Sequence, residues 1–73
     1  MIINIIAGSL AKKYNIRENI NLKDGANIAD ALAELKIPAD EIGLTSVNGK
    51  AAARDYILRD GDNLETFPVI VDG

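Results

Sequence analysis

The chain contains neither cysteine nor histidine. Without cysteine no disulfide can staple the fold, and without both residues the two commonest zinc ligands are missing. Cys–His and Ser–His arrangements also need one of these residues, so nucleophilic catalysis of that kind is excluded. Long apolar runs are absent too. The opening stretch from Met1 to Ile6 is apolar but is interrupted by Asn4. It falls far short of the roughly 20 residues of a membrane span. It also lacks the basic start, longer apolar core and small-residue cleavage site of a signal peptide. A cytoplasmic location is therefore the expectation, with no membrane partner. No basic run or arginine stripe is present, and the net charge is −3 with a pI near 4.7. Nucleic-acid binding relies on several Lys/Arg contacts to phosphate, so no nucleic-acid partner is expected. No cofactor and no metal site is expected either.

What remains is a chain of 73 residues, enough for a single domain and no more. A domain of this size buries only about 60% of the surface its unfolded chain exposes. Its stability has to come from dense packing of Ile, Leu, Val and Ala.

Ile2 to Ala7 is rich in β-branched residues and predicts a strand. Gly8-Ser9 signals a turn, with Leu10 to Lys13 lengthening the connection. From Tyr14 to Leu22 the chain alternates, Tyr14, Ile16, Ile20 and Leu22 on one parity and polar residues on the other, which predicts a half-buried strand. After the Asp24-Gly25 turn, Asn27 is a candidate N-cap, and Ile28, Ala31, Leu32 and Leu35 form a stripe at helical spacing. Pro38 stops that helix, which is expected over about 28–36. Leu44 to Val47 reads as a short strand ended by the turn dipeptide Asn48-Gly49. Lys50 to Leu58 is ambiguous, with a short strand suggested at Tyr56 to Leu58. Asp60-Gly61-Asp62 reads as a structural turn, and Leu64 to Val71 as the last strand. Apolar on both parities, that strand belongs inside the sheet, and Pro68 fits best where it leaves.

One helix packed across one face of a mixed sheet is the natural assembly of these elements. The order predicts an α+β, β-grasp (ubiquitin-like) fold with four to five strands, spanning 1–73 as one domain with a short C-terminal tail over about 71–73. That tail is expected to be mobile in the free protein.

The second half resembles a known family. Val47-Asn48-Gly49, then Asp60-Gly61-Asp62, then Phe67-Pro68-Val69-Ile70 running into Gly73, are similar in order and spacing to the ThiS/MoaD sulfur carriers. The resemblance is strong from about Val47 onward and architectural before it. It implies a protein that is not itself an enzyme. A separate ATP-dependent activating enzyme would adenylate the carboxylate of Gly73 and convert it to a thiocarboxylate. The sulfur would pass to a synthase building thiamine thiazole, molybdopterin or a related product. Glycine suits such a tail, because its lack of a side chain lets the backbone approach closely.

The family ends in Gly-Gly, whereas here Asp72 precedes Gly73. Three readings of that departure stand side by side: a partner that tolerates Asp72, a further glycine in the native gene, or a relative that has lost activation. The alternatives to a carrier are a β-grasp interaction module without covalent activation, and a ubiquitin-like modifier joined to lysines through Gly73.

Partner-binding candidates come from surplus hydrophobics. With Ile3, Ile5 and Ala7 facing the core, Ile2 and Ile6 point to the other face, where the register of the last strand decides whether Phe67 joins them; Pro68 beside it is a further candidate. The competing expectation for Ile2 and Ile6 is a second minor core beneath Lys50 to Leu58. Lys50, Arg54 and Arg59 are candidates for steering the tail toward an acidic partner.

Overall fold

Strict alternation along the first strand sets the architecture. In the computed structural model, which describes residues 1–70, β1 (Ile2–Ile6) buries Ile3 and Ile5 and exposes Ile2, Asn4 and Ile6. It is followed by α1 (Leu10–Tyr14), β2 (Asn19–Asn21), α2 (Ile28–Leu35), a 3-10 turn (Ala39–Glu41), β3 (Ile42–Val47), β4 (Lys50–Ala51) and β5 (Asn63–Pro68). The five strands form one mixed sheet in the order β2-β1-β5-β3-β4. β1 and β5 run parallel at its centre, and the remaining pairs are antiparallel. This is the β-grasp arrangement that the element order predicts.

Helix α2 begins where expected. Asn27 accepts a hydrogen bond from the Asp30 amide, and the Asp30 carboxylate accepts one from the Asn27 amide, a reciprocal capping box. The helix ends at Lys36, which takes a left-handed conformation with φ 58°. Its stripe of Ile28, Ala31, Leu32 and Leu35 is buried against Ile3, Ile5, Ile20, Val47 and Leu64 from the sheet. One sheet face is therefore covered and the other is open.

Two expectations need correction near the start. The connection from Leu10 to Lys13 is the helix α1, and Tyr14 belongs to it. Leu10 and Tyr14 lie one helical turn apart, Lys12 and Lys13 favour the negative end of the helix dipole, and Asn15 closes it at φ 54°. The second strand accordingly shrinks to Asn19–Asn21. The alternation still marked the buried side, since Ile20 is in the core and Tyr14, Ile16 and Leu22 pack against it.

Later elements differ less. β3 starts at Ile42, two residues earlier than expected, and contains a bulge between Ile42 and Leu44. Tyr56 to Leu58 forms no full strand. It makes one bridge, Ile57 with Asn27, and places Leu58 in the core. β5 is central as predicted but ends at Pro68, beyond the last position paired with β1, where the missing proline N–H costs least. The tail expectation for 71–73 lies outside the described residues.

One buried hydroxyl breaks the pattern of paired polar groups. Thr45 Oγ1 donates to the Ala52 carbonyl at 2.7 Å, whereas its cross-strand neighbour Thr66, also buried, leaves Oγ1 without a partner. A buried polar atom without a hydrogen bond costs about 1–3 kcal/mol. Thr66→Val keeps the shape and removes the unpaired group, so the urea midpoint should rise, by about 1 kcal/mol of stability. A loss of stability would contradict this reading of Thr66.

Candidate functional site

The residues that carry chemistry in the sulfur-carrier reading, Asp72 and Gly73, lie outside the described residues. What the structure describes is the sheet face beside Pro68 and the chain as far as Ile70.

Ile6, Leu44 and Phe67 come together on the open sheet face. Ile6 pairs with Glu65 across β1 and β5, and Phe67, two positions further on, is its diagonal neighbour on the same face. Phe67 pairs in turn with Leu44 on β3. The three side chains are 48%, 38% and 51% exposed, so a patch over three strands faces solvent. Single exposed hydrophobics are ordinary; a contiguous group on a domain this small is a candidate contact surface. Glu65 is the one ionisable strand residue on this face among the described residues.

The structure thus fixes the register that joins Phe67 to Ile6, and adds Leu44. Leu44 follows by plain alternation from buried Thr45 and Val47, a signal the sequence reading did not use; the bulge acts on Ile42, which it returns to the core side. Ile2 lies on the same face but at the far end of β1, beside Asn21 and separated from Ile6 by Asn4. Pro68 is exposed at the end of β5, paired with Ile42. The competing idea of a second core over Ile2 and Ile6 is overturned. The segment before Leu58 runs along the start of α2, with Ile28 N–H donating to the Tyr56 carbonyl and Leu58 N–H to the Ala26 carbonyl. It packs on the covered side of the sheet.

The turn motifs are structural. Asn48 and Gly49 both take positive φ, 53° and 84°, the requirement of a tight hairpin turn. Asp62 accepts from the Arg59 amide at 2.8 Å and from Asn48 Nδ2 at 3.0 Å, while Asp60 accepts from the Ile2 amide. These bonds tie the turn before β5 to both flanking strands. Arg54 makes structural contacts as well. Its guanidinium donates to the carbonyls of Ala39 and Ile42 at 3.1 and 3.0 Å.

Near the root of the tail, Lys13 Nζ lies 3.0 Å from Glu41 Oε1 and 5.4 Å from the Tyr14 ring centroid. The hydrogen bond from Lys13, and then that from Tyr14, holds the Glu41 carboxyl below its ordinary value. Hydrogen bonding and charge attraction from Glu41 raise Lys13. For Tyr14, partial burial is the main cause of a raised value, followed by Glu41. The lowered Glu41 group stabilises the fold above its unfolded pKa, an effect lost as pH falls through the folded value. The raised Lys13 group acts below its unfolded pKa and loses its effect as pH rises through the folded one. The pair is therefore intact across neutral pH. Both partners are exposed, so Lys13→Ala should leave the thermal midpoint at neutral pH nearly unchanged, a result that differential scanning calorimetry would check.

No described helix is long and apolar enough to cross a membrane, and no described group of acidic side chains is arranged to hold a metal ion.

Comparison with solved structures supports the same fold. The putative molybdopterin converting factor subunit 1 of Pyrococcus furiosus is similar with a TM-score of 0.80 and 22% identity, over 96% of this chain and 99% of that one. SAMP1 of Haloferax volcanii gives a TM-score of 0.78 and 21% identity over the full length of both chains. A second structure, of small archaeal modifier protein 1 from H. volcanii, gives 0.76 and 22% over 94% and 98%. The resemblance to ThiS/MoaD-type β-grasp proteins read from the second half of the sequence thus holds at the level of fold. The sequence itself matches the family described as Mut7-C ubiquitin over residues 10–72. That match covers most of the chain, which belongs to the Mut7-C ubiquitin family.

Proposed function

We propose that this protein is a sulfur carrier whose Gly73 carboxylate is the reacting group. A carboxylate oxygen of Gly73 attacks the α-phosphorus of ATP on an activating enzyme and displaces pyrophosphate. Hydrosulfide, or its equivalent on a donor, then attacks the acyl carbon and expels AMP, leaving a thiocarboxylate. The thiocarboxylate passes its sulfur to a synthase. The domain supplies the terminal carboxylate and a surface to be gripped, while the catalytic groups belong to the partner. The observation that carries this reading is the placement of β5. It leaves the sheet at Pro68, immediately after Phe67 in the Ile6–Leu44–Phe67 patch. The patch thus adjoins the point from which the chain runs on toward Gly73. The names of two similar structures, a molybdopterin converting factor subunit and a small archaeal modifier protein, are consistent with a carrier or modifier role.

Asp72 favours a second reading, a β-grasp interaction module that binds through the same patch without activation. Its Cβ and negative charge stand next to the reacting carboxylate, where ATP phosphates would repel it. ATP–pyrophosphate exchange with the adenylating enzyme of the same genome separates the two. Exchange that depends on this protein supports the carrier, and binding without exchange supports the module. Either reading uses the patch. Phe67→Ala should therefore weaken binding to that enzyme by about 30-fold or more, the effect of losing a hot spot of about 2 kcal/mol. Calorimetric titration would measure it, and unchanged affinity would remove Phe67 from the interface.

A further inference from the structure

Gly43 is an unusual place for a glycine. It does not take a positive φ, so no backbone conformation demands it. What demands it is space. A Cβ built there would lie 2.9 Å from the Pro68 carbonyl oxygen, 3.2 Å from Val69 Cα and 3.3 Å from the Pro68 carbonyl carbon. These are backbone atoms that cannot swing aside as a side-chain tip would. Gly43 is also the extra residue of the β3 bulge: Ile42 pairs with Pro68 and Leu44 with Phe67, leaving Gly43 opposite no residue. The bulge therefore presses bare backbone against the chain just where β5 ends.

A second contact grips the same point. The Val69 N–H donates to the Glu41 carbonyl at 3.2 Å, beyond the last residue of β5. Glu41 sits in the 3-10 turn, and that turn is braced from beneath. Arg54 Nη2 reaches the carbonyls of Ala39, where the turn begins, and Ile42, where it ends, and the Glu41 side chain is paired with Lys13. Residues 39–43 are thus held by two other parts of the chain and in turn hold Pro68 and Val69.

We infer that the segment 39–43 is a clamp that aims the C-terminal tail, with Gly43 and Arg54 as positioning residues. The inference rests on the carrier reading for its purpose. The four residues from Ile70 to Gly73 span at most about 14 Å even when fully extended. With so short a reach, the direction in which Val69 leaves the domain decides whether the carboxylate meets ATP while the open face is docked. Held through Val69, the tail starts from a fixed point relative to Ile6, Leu44 and Phe67. Gly43→Ala forces the Pro68–Val69 backbone away from β3 while leaving the patch side chains unchanged. Orientation of a reacting group is worth orders of magnitude in rate, so mis-aiming should act on turnover and spare docking.

The test combines two measurements on the full chain. Amide hydrogen exchange, read residue by residue by NMR, should find the Val69 amide protected in the native protein and at least tenfold less protected in Gly43→Ala, with core amides unchanged. ATP–pyrophosphate exchange with the adenylating enzyme should show kcat reduced at least tenfold and the dissociation constant unchanged. Arg54→Met, which keeps the aliphatic stem but removes both brace bonds, should move both readouts in the same direction and serves if Gly43→Ala fails to fold. A native Val69 amide that exchanges like an open chain overturns the clamp. So does lost protection with unaltered kcat, or a loss confined to docking affinity. If the native protein supports no pyrophosphate exchange at all, the carrier reading fails, and the exchange data alone then decide whether the clamp exists.

Discussion

Leu64→Ala should cost about 3–5 kcal/mol of folding stability. Leu64 is fully buried on β5, the central strand, with Ile5 beside it on β1 and Val47 on β3. Truncating it opens a cavity where the sheet meets the core face of α2, and side chains fixed on three adjacent strands cannot close in to fill it. The whole domain is worth only about 5–10 kcal/mol at the usual stability per residue, so the variant should be near the edge of folding at room temperature. Urea unfolding followed by circular dichroism gives the number. Ile70→Ala is the control: 88% exposed, it should change stability by no more than about 0.5 kcal/mol. A loss at Leu64 of under about 1 kcal/mol would put the centre of the core elsewhere.

Deleting Gly73 should abolish adenylation and leave stability as it is. The carrier reading places all of this protein's own chemistry in the terminal carboxylate, so its removal presents the partner with the carboxylate of Asp72 instead. That group is one residue short and carries a second negative charge on its own side chain. Asp72→Gly should act the opposite way. It removes a Cβ and a charge that would face the phosphates of ATP, and should increase the rate of pyrophosphate exchange. Activation of a silent native chain by Asp72→Gly would make the protein a relative that has given up activation, and the interaction-module reading would take its place. Equal exchange from all three chains would show that the reacting group lies elsewhere.

The parts of the fold legible in sequence are those where one local rule acts alone. The helix α2 could be read because its stripe, its cap at Asn27 with Asp30, and its stop at Pro38 agree. β1 could be read because its parities separate into Ile3 and Ile5 inside and Ile2 and Ile6 outside. Reading failed where two rules overlapped. Tyr14, Ile16, Ile20 and Leu22 suit a strand by parity, but Leu10 and Tyr14 suit a helix by spacing, and the helix won up to Asn15. The candidate site was half legible. Parity alone brought Ile6 to the open face and would have brought Leu44, opposite in parity to buried Val47; Phe67 waited on the register of β5, and Ile42 returns to the core only through a bulge. That bulge exists because glycine at position 43 lets a distant strand end approach. No window of neighbouring residues contains that information, since Gly43 and Pro68 meet only in the folded chain. The structural contact of Arg54 was hidden for the same reason: its charge is visible in sequence, and the two carbonyls it binds are not.

Intact-mass spectrometry of this protein tests the account most directly, after incubation with ATP, a sulfide source and the adenylating enzyme of the same genome. A sulfur carrier gives a product heavier by the difference between one sulfur and one oxygen atom, located by fragmentation at Gly73, and absent when ATP is withheld. An unchanged mass with an enzyme shown to bind the protein would contradict the carrier reading.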